Sequence, residues 1–292
     1  MFNISVLQEP ETLEAAVEML HENAGLRIIA GGTDVLIRLQ HGGEGWSQLL
    51  SLRKVRALEE ISMRDDGTIV IGATAPFSRI FLDPIIRRHL PSLSEAAVSM
   101  GGPQIRNVAT IGGNICNGAV SGDSASTLFA LDALLRLESL EGERIIPIHE
   151  FYAGPGKVRL LPGELLAAIL IPRSSYQDTG GHYIKFAMRK AMDIATLGVS
   201  VICRDKGGVF EDLRIGLGVA APVPIRCAEA EAYAKGRPVT VATCMEIGKL
   251  AVKATKARTS WRASKDYREH LVEVLTERAV LESAKRAGGS HA

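Results

Sequence analysis

Two short segments, far apart in the chain, each end an apolar run in a pair of glycines followed by small polar residues. The first reads AGGTD at residues 30–34, and the second reads ATIGGN at residues 109–114. Glycine pairs allow a positive φ and a close approach of the backbone to a ligand, and successive N–H groups in such a turn form a concave anion site. Together, the two segments therefore predict a site that binds a diphosphate from two sides. Each segment alone is equally well explained as a tight turn between a strand and a helix that binds nothing.

Three charged residues could act beside such a site. Lys185 and Arg189 lie four positions apart in a segment that we predict as a strand, where this spacing puts both side chains on one face. A solvated strand face would show the same pattern. Asp123 follows Ser121 and Gly122, and it could equally cap a helix over 124–133.

The residue pattern argues against several other chemistries. The four cysteines, at positions 116, 203, 227 and 244, form no CxxC pair and have no histidine partners at the spacing of a zinc site. We expect free thiols, and neither an iron–sulfur cluster nor another metal site in this chain. The seven histidines are scattered, and no Ser-His-Asp triad, HExxH motif or P-loop is present.

Residues 216–221 match the dinucleotide fingerprint G-x-G-x-x-A after a predicted strand. A Rossmann site also needs a helix that begins inside this motif and points its N-terminus at the pyrophosphate. Pro222 and Pro224 follow at once, and the residue before a proline disfavours helix. We therefore reject a Rossmann site and expect these glycines to allow close packing of the strand.

Length and composition describe a globular protein of ordinary makeup. The chain has 292 residues, enough for two or three domains, with 46% hydrophobic and 23% charged residues. A net charge of +1 gives no electrostatic reason to expect binding to nucleic acid or to an anionic membrane. The sequence shows neither a membrane-spanning run of about 20 apolar residues nor an N-terminal secretory signal. We therefore expect a cytoplasmic protein.

Periodicity and turn residues predict the elements that position the candidate site. In the first block, a helix over 11–23 capped by Thr12 precedes the first glycine pair, and Thr33 or Asp34 caps the helix after it. The other predicted elements are a strand at 26–30, strands at 48–52, 68–73 and 164–171, helices over 75–100 broken at Pro84 and Pro91, helical character over 123–135, and a hairpin at Glu141 and Gly142.

A polar, turn-rich segment at 172–181 is the clearest linker in the chain. It predicts a first domain over residues 1–175, with lobes of about 1–57 and 58–175, and a second over 176–287 before a mobile tail at 288–292. In the second domain we predict strands at 182–189, 196–204 and 209–220, then helices at 227–235, 241–255 and 267–287. Strands followed by helices are typical of an α+β domain.

Several segments together resemble the FAD-binding subunits of the molybdenum hydroxylases. These segments are GPQIRN at 102–107, GGNICNG at 112–118, AMDI at 191–194, VAAP at 219–222 and SWRASK at 260–265. The family includes xanthine dehydrogenases, carbon monoxide dehydrogenases and hydroxylases of aromatic heterocycles, and the resemblance is strongest to the bacterial xanthine dehydrogenases. It runs from end to end. It implies an α+β chain: a two-lobed FAD-binding fold of the vanillyl-alcohol-oxidase type, followed by a C-terminal α+β domain with a three-stranded sheet plus helices.

The resemblance also implies the residues that contact FAD. The diphosphate would lie on the two glycine segments, which supply Arg27, Ile28, Ile29, Ala30, Gly31, Gly32, Thr33, Asp34, Ala109, Thr110, Ile111, Gly112, Gly113 and Asn114. Asp123 would bind the adenosine or ribityl hydroxyls.

The same resemblance places Lys185 beside the isoalloxazine ring, where a cation stabilises the anionic reduced flavin. Lys185 and Arg189 are therefore our candidate catalytic residues. Leu165 and Ile184 would pack near the ring, and Asp193 would lie in the segment that borders the flavin.

As a function, the resemblance implies electron transfer within a heterotrimer. A partner subunit would hold the molybdenum cofactor, another would hold the 2Fe-2S clusters, and this chain's FAD would pass electrons to NAD⁺ as co-substrate during hypoxanthine or xanthine oxidation. Three alternatives stay open: the flavoprotein subunit of a hydroxylase for carbon monoxide, nicotinate, an aldehyde or an aromatic substrate; a flavin-free assembly scaffold; and a free-standing flavin oxidase.

Overall fold

A small parallel sheet forms the first lobe. The computed structural model describes residues 3–42 and 45–288, so the predicted tail lies outside the described residues from position 289 onward. The elements of this lobe are β1 (Val6–Gln8), α1 (Leu13–Glu22), β2 (Arg27–Ile29), α2 (Val35–Gln40) and β3 (Gln48–Ser51). The strands pair in parallel in the order β1-β3-β2.

Helix α1 covers this sheet and begins where the sequence predicts. The hydroxyl of Thr12 accepts a hydrogen bond from the Ala15 N–H at 3.2 Å, which satisfies one of the free donors of the first turn. Ala16, Val17 and Leu20 are the buried side of the helix. They pack into a core that also contains Leu50 of β3.

An antiparallel sheet with a layer of helices forms the second lobe. Its elements are β4 (Ile61–Met63), β5 (Ile69–Gly72), α3 (Phe77–Leu82), α4 (Pro84–His89), α5 (Pro91–Ser99), α6 (Pro103–Arg106), α7 (Ile111–Cys116), α8 (Asp123–Ala130), β6 (Leu134–Ser139), β7 (Gly142–Pro147), α9 (Ile148–Phe151), β8 (Tyr152–Gly154), β9 (Lys157–Val158) and β10 (Leu165–Ile171). The five-stranded sheet runs β4-β5-β10-β6-β7.

The central strand β10 serves both lobes. All seven of its residues are buried. Leu165 and Ala167 join the core of the first lobe, whereas Leu166, Ile169 and Ile171 join the core of the second. A strand that is buried on both faces has a continuous run of apolar residues. This run is why the sequence predicted β10.

Proline sets the helix boundaries of the second lobe. Pro84 and Pro91 each stand at the first positions of a helix, where the missing N–H has no partner to lose. The two predicted breaks are therefore confirmed. The helical character predicted to residue 135 ends earlier, at Ala130, because Asp132 takes a positive φ of 46° and β6 begins at Leu134.

The C-terminal part has an antiparallel sheet backed by helices. Its elements are β11 (Gly180–Phe186), β12 (Leu197–Asp205), β13 (Phe210–Gly218), β14 (Ile225–Arg226), α10 (Ala228–Ala234), α11 (Val241–Val252) and α12 (Lys265–Arg286). The sheet runs β11-β12-β13-β14. The three predicted strands are present, and the sequence missed the two-residue fourth strand. The first of the three ends at Phe186, before the predicted residue 189.

Helix α8 of the second lobe packs directly on strand β13. A Cβ on Gly216 would come within 1.9 Å of the Ser126 carbonyl oxygen. Strand β13 ends at Gly218 and the next helix begins only at Ala228. The rejection of a Rossmann site is thus confirmed, and Gly216 allows close packing as expected. Among the described residues, no helix is both long and apolar enough to cross a membrane.

Candidate functional site

The first glycine segment is an open loop between β2 and α2. Gly32 has a φ of +76°, as predicted. Within the described chain, the backbone N–H groups of residues 31–34 donate to no protein acceptor. Asp34 is the N-cap residue of α2 but does not cap it; its carboxylate accepts a hydrogen bond from Asn117 Nδ2 at 3.1 Å instead. This loop therefore offers consecutive free donors to an anion.

The second glycine segment is the first turn of α7 rather than an open loop. Thr110 caps it by accepting from the Gly113 N–H at 3.2 Å. The Ile111 and Gly112 N–H groups donate to the carbonyls of Ala75 and Ala73, and the Asn114 N–H donates to the Thr110 carbonyl. Neither glycine uses the freedom to take a positive φ.

Close packing explains why glycine stands at position 112. A Cβ there would lie 2.5 Å from the Ala73 carbonyl oxygen and 2.7 Å from the Ala73 Cβ. The residue lets α7 rest against the chain that leaves β5.

The two segments meet in space, although 74 residues lie between them in sequence. A Cβ on Gly31 would come within 1.9 Å of the Val108 carbonyl oxygen. The side chain of Asn117, just after α7, bonds to both Asp34 and Arg38. The sequence-based pairing of the segments therefore has a structural counterpart, and their contact with a diphosphate stays a prediction.

A buried ion pair lies beyond the second segment. Asn114 Oδ1 accepts from Ser124 Oγ at 2.8 Å, and the neighbouring Asp123 accepts from Lys185 Nζ at 2.8 Å. The side chains of Asp123 and Lys185 are only 5% and 11% exposed. Asp123 is the first residue of α8 and its side chain caps no helix, because the N-cap residue is Gly122. The capping alternative is therefore wrong.

Tyr183 completes the surroundings of this carboxylate. Its hydroxyl donates to Asp123 Oδ1 at 3.2 Å, while Lys185 Nζ also donates to the Ser99 carbonyl at 3.1 Å. Burial raises the pKa of Asp123, and the opposing effects of Lys185 and Tyr183 do not fully offset it. Burial and the nearby Asp123 hold the pKa of Tyr183 well above its ordinary range, so its hydroxyl keeps its proton.

A cavity of about 450 Å³ opens next to the pair. Its lining includes Glu95, Ser99, Tyr183, Lys185, Arg189 and Asp193. Because β11 ends at Phe186, Arg189 does not share a strand face with Lys185 as predicted. It lies in the following loop with a side chain that is 69% exposed, and its backbone N–H donates to Asp193 Oδ2 at 2.9 Å.

The other two residues expected near the ring do not line this cavity. Leu165 is fully buried in the core of the first lobe, whereas Ile184 packs against the C-terminal core. Sequence reasoning also missed Tyr183. Its position two residues before Lys185 on the same strand was the available signal, since alternate residues of a strand share a face.

Comparison with known proteins identifies the family. Residues 2–174 match the model of the FAD binding domain in molybdopterin dehydrogenase, and residues 182–283 match the carbon monoxide dehydrogenase flavoprotein C-terminal domain. The chain is 42% identical over 289 residues to a putative xanthine dehydrogenase FAD-binding subunit of Escherichia coli K12, with 99% of each chain covered. The chain belongs to the FAD-binding subunits of the molybdenum hydroxylases. The resemblance inferred from the sequence motifs is confirmed.

Two further relatives show how widely this flavoprotein subunit is shared. This chain is 35% identical over 240 residues to the nicotinate dehydrogenase FAD-subunit of Eubacterium barkeri, with 80% of each chain covered. Its fold matches a solved carbon monoxide dehydrogenase chain from Hydrogenophaga pseudoflava with a TM-score of 0.92 at 27% identity, covering 98% of this chain and 99% of the other.

The donor groups of the subunit fit the cofactor that its family binds. The free N–H groups of residues 31–34 suit a diphosphate, and the cavity beside Lys185 is lined by a mixture of charged, polar and apolar side chains. In the described residues, no group of three or more His, Cys, Asp or Glu side chains is arranged to hold a metal ion.

Proposed function

We propose that this subunit serves a xanthine dehydrogenase, taking electrons from iron–sulfur clusters of one partner and passing them through FAD to NAD⁺. A second partner would oxidise hypoxanthine or xanthine at its molybdenum cofactor. The observation that carries the proposal is the 42% identity to the Escherichia coli xanthine dehydrogenase subunit over 99% of both chains. The likeness to the nicotinate dehydrogenase subunit is lower, at 35% over 80%.

The geometry supports a division of labour among the residues of the site. The N–H groups of residues 31–34 hold the diphosphate, and the chain on either side of the Gly112 and Gly113 turn contacts that loop through Val108 and Asn117. Lys185, which is paired with Asp123, and the loop with Arg189 and Asp193 line the cavity that takes the ring end of the cofactor. The bound flavin supplies a carrier that accepts electrons singly and releases them in pairs.

The test is a purified complex. The chain is co-expressed with its molybdenum and iron–sulfur subunits, the cofactor is released by heat and identified, and NAD⁺ reduction is measured with xanthine, hypoxanthine and nicotinate as separate substrates. We expect one FAD per copy of this chain and NADH formation with the purines only. Turnover of nicotinate alone would assign the subunit to another hydroxylase, and a complex without FAD would favour a scaffold.

The electron acceptor is tested separately on the same preparation. NADH is added without a purine substrate, and reduction of an artificial dye is followed. Dye reduction at a rate matching purine-driven turnover supports NAD⁺ as the partner of the flavin. Purine oxidation that proceeds with oxygen or a ferredoxin but not with NAD⁺ contradicts this part of the proposal.

A further inference from the structure

The cation of Lys185 is not free at the cavity. Its ammonium group lies 2.8 Å from Asp123 Oδ2, and its other hydrogen-bond partner is the neutral carbonyl of Ser99. Asp123 is the one carboxylate that pairs with Lys185 among the described residues. Because both side chains are largely buried, little water intervenes to weaken their interaction. The pair presents a dipole to the cavity rather than a full positive charge.

Tyr183 keeps the carboxylate in place. Its hydroxyl donates to Oδ1, the oxygen that Lys185 does not bind. Both oxygens of Asp123 therefore receive a hydrogen bond from the same strand, β11. Hydrogen bonds to an ionised carboxylate stabilise the charged form, and this opposes the tendency of a buried carboxyl group to take up a proton.

We propose that Asp123, held by Tyr183, cancels the charge of Lys185 at the cavity, so that a neutral pair rather than a free cation sets the potential of the flavin. Asp123 and Tyr183 are then positioning residues for Lys185. This inference rests on the proposed function, in which the ring end of FAD lies in this cavity. It differs from the sequence-based expectation that Lys185 acts alone as a stabilising cation.

A double-mutant cycle tests the pair in the complete complex. The midpoint potential of the FAD is measured by spectroelectrochemical titration in wild type, Asp123→Asn, Lys185→Met and the double variant. Asn keeps the shape of Asp and still accepts hydrogen bonds, but it removes the negative charge. We expect Asp123→Asn to shift the potential to a more positive value, because the uncovered cation favours the anionic reduced flavin.

The effect of Lys185→Met separates the two readings of the site. With Asp123 present we expect a small shift, because the wild-type pair is already neutral and a buried Asp123 takes up a proton once Lys185 is gone. In the Asp123→Asn background the same change should lower the potential strongly and return it near the wild-type value. A large negative shift that is equal in both backgrounds, or an unchanged potential in Asp123→Asn, overturns the proposal.

The affinity for sulfite gives a second readout that does not depend on turnover. Sulfite adds to the flavin ring and leaves a negative charge on it, so a nearby unpaired cation stabilises the adduct. We expect the dissociation constant of sulfite to fall in Asp123→Asn and to recover in the double variant. If the dissociation constant of sulfite changes only with the residue at position 185, whatever residue stands at position 123, the pairing is contradicted.

Tyr183→Phe probes the positioning role without touching either charged residue. Loss of the hydroxyl leaves Asp123 less stabilised as a carboxylate, and we expect a positive shift smaller than that of Asp123→Asn. Tyr152→Phe is the matched control, because the Tyr152 hydroxyl is also buried but has no hydrogen-bond partner in the described chain. If Asp123→Asn loses FAD, Tyr183→Phe decides: no shift relative to Tyr152→Phe refutes the role of Asp123.

The two levels of failure are distinguishable. A wild-type complex that contains no FAD contradicts the proposed function and removes this inference with it. A complex that contains FAD, but whose potentials do not follow the cycle, contradicts the inference alone.

Discussion

The two glycine pairs look alike in sequence and differ in what their backbone groups do. In the first pair Gly32 takes a positive φ, and four successive N–H groups, from residues 31–34, have no acceptor within the described protein. At Gly112 and Gly113 the chain is helical, and the N–H groups of residues 111–114 are all bonded to protein acceptors. The first pair leaves backbone donors free, and the second allows α7 to pack against the chain that leaves β5.

The largest effect should come from the packed glycine. In Gly112→Ala the new Cβ meets the Ala73 backbone oxygen at 2.5 Å, so α7 must shift. We expect the free energy of unfolding to fall by about 2–3 kcal/mol, with or without FAD. Urea unfolding of the FAD-free chain measures it. Gly154→Ala is the control, because a Cβ there meets nothing within 4 Å, and an equal loss in both variants would refute the packing argument.

A second comparison separates ligand binding from backbone strain. Gly32 and Gly236 have φ values of +76° and +77°, so Ala at either position should cost about 1–2 kcal/mol of stability. Only Gly32→Ala should also weaken FAD binding, by about tenfold or more, since it moves the free N–H groups. Isothermal titration of both variants with FAD measures this, and equal affinities would show that the loop does not hold the cofactor.

The cap of α7 tests how much the second glycine segment contributes to the stability of the protein. Thr110→Ala removes the acceptor for the Gly113 N–H and should reduce stability by about 1 kcal/mol. Thr110→Ser should restore most of it. Thr240→Ala serves as a matched variant, because Thr240 caps α11 with the same donor distance of 3.2 Å. A Thr110→Ala protein as stable as wild type would mean that the cap contributes nothing to this segment.

An effect as small as that of the cap, but one that depends on pH, is expected at Glu95, whose carboxylate is bonded by other groups of the protein. Burial raises the pKa of Glu95, but hydrogen bonds from His182, the Tyr183 N–H and Arg286 outweigh it and leave the pKa below its ordinary value. A carboxylate with a lowered folded-state pKa contributes stability above its unfolded pKa, and this is lost as the pH falls.

We therefore expect Glu95→Gln to lose about 1 kcal/mol at pH 7, and the difference from wild type to shrink below about pH 4. Unfolding curves recorded across this range measure it. Glu282→Gln is the control, because Glu282 binds the same Arg286 at 2.8 Å on the helix surface. A difference from wild type that does not change with pH contradicts the assignment to ionised Glu95.

Local signals predicted local structure well. Thr12 marks the start of α1 because its hydroxyl bonds three residues ahead, and Pro84 and Pro91 start helices because proline fixes φ and lacks an N–H. The family and the meeting of the glycine segments also followed from the sequence.

The missed features depend on partners far away in the chain. Glycine is needed at position 112 because a Cβ there would lie 2.5 Å from the Ala73 carbonyl oxygen. Ala73 is far away in the sequence, so the glycine pair alone did not show that this segment would be helical and closely packed. The end of β11 at Phe186 was equally hidden, because its ladder with β12 begins at Leu197. Arg189 was consequently placed on a strand that does not extend to it.

The central strand β10 has a consequence for the order in which the protein can form. Leu165 and Ala167 belong to the core of the first lobe, yet the ribosome makes them more than a hundred residues after that lobe's own sheet ends at Ser51. A nascent chain that has only reached β9 carries α1 and β1 to β3 without the side chains that close their core. Ribosome-bound intermediates arrested before Leu165 should therefore remain protease-sensitive in their first sixty residues, and protection should appear in both lobes at once when β10 emerges.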